Sequence, residues 1–153
     1  EHEIATQIVQ AAVQPSVRQA RRGDAWLRRA DALARQRIEA CAHYAELLGS
    51  AAAIALPVRD PGLPLYFFPV LAPAKEALLR RARARLLEVV AWPLRLPIYP
   101  AEHEHEMQRY GYTLGSCPEA ERIAQRLVGL PTDFGATPRL RRALASLILD
   151  VRP

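Results

Sequence analysis

Lysine is almost missing from this chain: of its 21 basic residues, only Lys75 is a lysine and the rest are arginines. Any chemistry that needs a side-chain amine therefore has one candidate. Glycine is scarce as well, and none of the seven stands in a G-x-G or G-K-[ST] setting, which excludes a nucleotide-phosphate loop. A G-x-S-x-G nucleophile elbow is also missing. No apolar run approaches the ~20 residues that span a bilayer. The opening "EHEIATQIVQ" has neither a basic n-region nor a long apolar stretch, so no secretory signal is expected there. Cys41 and Cys117 could make one bridge at most, and a reduced, cytoplasmic protein is expected. With 24% charged and 7% aromatic residues, a collagen, a disordered chain and a coiled-coil rod are poor fits.

What is present suits a single folded unit. Half of the 153 residues are apolar, and a domain of this size buries roughly 68–70% of the surface of its unfolded chain. The net charge of +5 brings a polyanionic partner into consideration. The chain opens on Glu1 and its one methionine is Met107, which leads us to expect a piece of a longer chain.

Eight of the thirteen prolines fall between Pro57 and Pro100, so strands and loops are expected there, with helices on either side. Apolar spacing predicts a first helix over Ile4–Val13, ended by Pro15. A long helix is expected from Asp24, as N-cap, to Gly49, with Leu27, Ala34, Ile38, Cys41, Ala45 and Leu48 on its apolar stripe. Residues 1–23 would then be a helical lead-in and 24–153 a small domain. The content of Leu65–Leu71 reads as a strand, and Pro69 puts it at an edge or a bulge. Pro73 opens a helix whose Leu78, Leu79, Ala82 and Leu86 share a face, and "VVAWPLRLPIY" reads as a second extended segment. Ser116 and Glu119 have capping-box spacing for a helix burying Ala120, Ile123, Ala124, Leu127 and Val128, closed by Gly129. Thr137 and Pro138 open the last helix, which buries Leu140, Ala143, Leu144, Leu147 and Ile148. The fold class expected is α+β, a small antiparallel sheet covered by helices.

Chemistry-bearing clusters are few. In "EHEHE", His103 and His105 would share a side on a strand but diverge by about 200° on a helix, so adventitious metal binding is expected rather than a metal site. Cys41 is expected to be a core thiol, and Cys117 lies at a helix start with no base adjacent in sequence. Arg80, Arg81, Arg83 and Arg85 read as a solvated helix face, since no nucleic-acid-binding motif accompanies them.

Several stretches, in order, resemble the C-terminal small domain of the DegT/DnrJ-type sugar aminotransferases, pyridoxal-phosphate proteins of the aspartate-aminotransferase fold. "RQRIEACAHYAELL" supplies Arg37, Tyr44 and Leu48 of a pattern R-x-x-x-A-x-x-Y-x-x-x-L, with Cys41 at the alanine. "YFFPVLAP", "LLEVVAWPLRLP", "CPEAERIAQRLVGLPTDFG" and "TPRLRRALASLIL" follow, so the resemblance spans residues 24–149. Gln7 to Arg22 match only loosely, and "LPTDF" lacks a histidine common after Leu-Pro in the family. The resemblance implies that the cofactor-binding lysine and most phosphate contacts lie in a large N-terminal domain, whose motifs are not in this sequence. Lys75, beside Glu76 at a helix start, reads as solvated and is given no catalytic role.

No catalytic, cofactor-binding or metal residue is thus assigned to this chain. Pyridoxal phosphate is expected in the parent protein, with the large domain and a homodimer mate as partners. The loop after the second strand would approach the substrate cleft, making Trp92, a stacking platform, and Arg95, an anion fork, the substrate-side candidates. Because such a domain packs on a larger body, some apolar surface is expected to stay uncovered. A different class stays open: a stand-alone, non-catalytic domain that binds a protein or an anionic partner.

Overall fold

The computed structural model describes residues 16–49, 60–91, 97 and 103–151. The expected helix at Ile4–Val13 lies outside them. Helix α1 (Val17–Leu27) starts at Ser16, whose hydroxyl accepts from Gln19 N while the Gln19 side chain accepts from Ser16 N. This capping box sets the helix start eight residues before the expected Asp24. Asp24 lies inside α1 instead, paired with Arg28. A turn at Arg28–Arg29 separates α1 from α2 (Ala30–Leu48), so the single long helix is in fact two. Gly49 ends α2 as expected, and a Cβ there would sit 2.6 Å from Ala45 O. By their contacts the residues divide within α2, between Leu33 and Ala34.

Strand β1 (Phe67–Leu71) is followed by α3 (Lys75–Ala84), the short α4 (Glu104–Met107) with one 3-10 turn after it, and α5 (Pro118–Ala124). Strand β2 (Leu127–Pro131) and α6 (Pro138–Asp150) complete the order. The two strands pair antiparallel in the register Phe67 with Pro131 through Leu71 with Leu127. The fold is α+β.

Side chains alternate across the sheet. Phe68, Val70, Val128 and Leu130 share one face and are buried. They pack in one core with Cys41, Tyr44 and Leu48 of α2, Leu78 and Ala82 of α3, and Leu144, Leu147 and Ile148 of α6. Tyr44 stacks on Phe68, ring centroids 5.4 Å apart, and its hydroxyl donates to Pro131 O. Gln36 and Ala40 flank this stripe, whereas Ala45 and Leu27, expected on it, are exposed.

β2 was expected as the end of a helix. Leu127 and Val128 fit a helical face, but both lie in the strand, and Gly129 is a sheet position rather than a helix stop. A Cβ at Gly129 would approach Phe67 Cβ to 2.9 Å, so only glycine fits beneath that ring. Helix α5 is correspondingly short. Its N-cap is Cys117, not Ser116, and of Ala120, Ile123 and Ala124, the part of the expected apolar face that is helical, only Ala124 is buried. Thr137 caps α6 as expected, accepting from Leu140 N.

Leu86, expected on the buried face of α3, is 94% exposed. Helix α3 ends with Leu87 N donating back to Ala82 O, the long-reach bond of a Schellman turn, and Leu86 takes the left-handed position with φ +55. The turn swings its side chain outward. No described helix is long and apolar enough to cross a membrane.

Candidate functional site

After the Schellman turn the chain reaches Val90, whose N–H and C=O exchange hydrogen bonds with Gly129 at 2.9 and 2.8 Å. This bridge flanks β2 on the side away from β1. The candidates Trp92 and Arg95 themselves lie outside the described residues.

A cleft of about 650 Å³ opens beside this bridge. Its apolar wall comes from Leu79 and Ala82 of α3 and from Leu87, Val89 and Ala91. Arg80, Arg83, Glu88 and His103 supply polar groups around it. Arg81 turns away, donating to Asp150 O at the end of α6. Arginines and acids in one cleft can orient a ligand bearing both charge signs, and the apolar wall can hold its body.

Lys75 is not solvated. It is 5% exposed, and Nζ donates to Ala124 O, the last residue of α5, at 2.8 Å. Burial lowers the ammonium pKa, with Glu76 opposing the shift. The carbonyl end of α5 offsets part of that cost, because a helix C-terminus favours a cation. A depressed amine is the property a nucleophilic lysine needs, but this one is turned into a helix end. The signal was present in the spacing: Lys75, Leu78 and Ala82 fall on one helical face.

The two histidines do come together. His103 caps α4 in extended conformation and His105 follows in the helix, their rings stacked 5.6 Å apart with planes 11° from parallel. Among the described residues, however, no group of three or more His, Cys, Asp or Glu could hold a metal ion. Met107, the last residue of α4, is buried. Cys41 is a buried thiol whose pKa is raised by burial, and Cys117 is an exposed free thiol.

Two polar positions gave no sequence signal. Thr132 is buried, with its hydroxyl 2.7 Å from Leu65 O and 2.8 Å from Tyr66 O. Arg141 is buried on α6 and donates from Nε to Ala136 O. Each satisfies loop carbonyls next to the sheet, a task no local pattern reveals.

No protein-family model matches the sequence, and no curated protein matches it. Solved structures do. S. venezuelae DesV in complex with a ketimine intermediate superposes with a TM-score of 0.72 at 20% identity, covering 88% of this chain and 37% of DesV. The aminotransferase TlmJ from Streptoalloteichus hindustanus gives 0.65 at 23% identity, over 83% of this chain and 34% of TlmJ. A DegT DnrJ EryC1 StrS aminotransferase from Brucella abortus gives 0.58 at 15% identity, over 74% and 30%. This chain thus spans about a third of the length of each. At these identities the likeness is one of fold: the chain has the α+β architecture of a part of these aminotransferase structures.

Proposed function

We propose that this chain is the C-terminal small domain of a pyridoxal-phosphate-dependent sugar aminotransferase-like protein, a helical lead-in followed by a unit that closes the substrate cleft and supports a homodimer. What supports the reading is coverage. Three aminotransferase structures match most of this chain with about a third of their own length, and the sequence stretches from Arg37 to the last helix resemble the same class of enzyme. On this reading the chain is not catalytic alone. The cofactor is held by the rest of a cytoplasmic parent, and Trp92 and Arg95 would meet a nucleotide-sugar substrate, one by stacking and the other on its diphosphate.

The test starts with the coding sequence upstream of Glu1. It should continue in frame into a large domain with its own lysine. The intact product, purified with bound pyridoxal phosphate and treated with borohydride, should carry the cofactor on a lysine other than Lys75. An upstream stop codon, or a parent without such a lysine, would overturn the reading in favour of a stand-alone interaction domain.

A further inference from the structure

The stretch Gly111–Ser116 joins the 3-10 turn after α4 to the start of α5, and both of its glycines are left-handed, at φ +68 and +90. Its backbone bonds run within itself or back to the preceding turn: Gly111 N to Gln108 O, Tyr112 N to Met107 O and Ser116 N to Thr113 O. Among the described residues, what ties it forward to α5 is one carboxylate. Glu121 Oε1 accepts from the Tyr112 hydroxyl at 2.7 Å and from Gly115 N at 2.6 Å. The Cys117 N–H, at the helix N-cap, adds to the same carboxylate. Around it, Glu119 and Arg122 of α5 engage each other, Cys117 is an exposed thiol, and His105 of α4 lines the same small hollow as Tyr112.

We propose that Glu121 is an acid-sensitive latch: as a carboxylate it holds Gly111–Ser116 on α5, and on taking up a proton it lets that stretch open while the core stays folded. Hydrogen bonds to an ionised acceptor are about twice as strong as neutral ones. Protonation removes the charge and places on the carboxyl a hydrogen that the Gly115 N–H cannot accept. Linkage gives the direction. The bonds to Glu121, that from Tyr112 first, hold its carboxyl below the ordinary 4.5. The closed stretch is therefore favoured above that value and loses this support as pH falls through the lowered one. The core answers differently. Among the described residues its buried charged groups are Lys75 and Arg141, so acid protonates no buried carboxylate there. Tyr112, Thr113 and Leu114 also wall a hollow of about 490 Å³ with His105, Met107 and Gln108, and opening the stretch removes that wall.

Hydrogen exchange on the intact protein, corrected for the intrinsic effect of pH on amides, tests the latch. Between about pH 7 and pH 3, exchange over residues 111–117 should rise at least about threefold while α6 stays protected. In Glu121→Gln the same residues should exchange at the faster rate already at neutral pH and show no further rise in acid. Tyr112→Phe should move the rise to higher pH, toward the ordinary carboxylate value, because it removes the bond that lowers the Glu121 carboxyl most. His105→Asn should leave the response in place. An acid response that persists in Glu121→Gln, or that vanishes in His105→Asn, would overturn the proposal. Protection over 111–117 that is unchanged across the range, or that is lost only together with α6, would overturn it as well.

Discussion

Pro69 of β1 faces Gly129 of β2 at a point where the sheet does not need the amide hydrogen that proline lacks. Gly129 directs both its N–H and its C=O to Val90 on its other side. The bonded pairs between the strands are therefore Phe68 with Leu130 and Val70 with Val128, in step with Ala72 N donating to Arg126 O. Proline sits where its ring faces the outer edge, and there it blocks further strand addition.

Gly129→Ala tests this arrangement. The new Cβ would meet Phe67 Cβ at 2.9 Å and Phe67 Cγ at 3.2 Å, with Val90 Cβ at 3.6 Å. We expect a loss of about 1–3 kcal/mol in urea unfolding, the cost of overpacking a fitted site. A neutral result would mean that the sheet opens at no cost.

Leu144 and Leu127 separate core from margin. Leu144 is fully buried on α6, so Leu144→Ala should cost about 2–5 kcal/mol. Leu127, only half-buried at the end of β2, should cost about 1 kcal/mol on truncation. Equal losses would contradict the placement of Leu127 in the strand.

Leu86→Gly should stabilise the chain. A left-handed conformation costs a side chain about 1–2 kcal/mol, and Leu86, at φ +55 and 94% exposed, recovers nothing by burial. The entropy of glycine in the unfolded chain returns about 0.5–1 kcal/mol of that gain. A net rise of about 0.5–1 kcal/mol in urea titration is expected, and a drop would show that Leu86 packs on something.

Alkaline pH should weaken the fold through Tyr44 and Cys41. Burial raises the pKa of both above their ordinary values of 10.0 and 9.0. Both are acids that stay protonated longer when folded. The unfolded chain loses its protons first, so stability falls as pH rises past those unfolded values. Tyr44→Phe should be less stable at pH 7, having lost the bond to Pro131 O, yet show a shallower decline at alkaline pH. Parallel pH–stability curves for the two proteins would contradict this.

The isolated chain should not bind pyridoxal phosphate specifically. Its one lysine is buried against Ala124 O and has no phosphate-cradling loop beside it. Titration with the cofactor should give no absorbance change that disappears in Lys75→Ala.

Local pattern determined much of this protein. Thr137 before Pro138 starts α6, the spacing of Cys41, Tyr44 and Leu48 sets the buried face of α2, and the content of Phe67–Leu71 makes a strand. Each is written within a few residues of chain, where a cap, a helical period or a β-branched run decides. Trp92 and Arg95, legible as site candidates from composition and resemblance, stand beyond the described residues. Tertiary structure decided the rest. Ala120 to Val128 satisfies a helical period, yet Leu127–Pro131 pairs with a strand almost sixty residues away, and no local signal reports that partner. Gly129 reads as a helix stop until Phe67 stands above it. Lys75 reads as solvated until the end of α5 arrives and Ala124 O accepts the hydrogen bond of its ammonium, and Leu86 reads as core until α3 closes with a left-handed residue that is not glycine. The physical reason is the same in each case: burial, pairing and the cost of an unpaired polar group depend on residues distant in sequence, which meet only in the folded chain.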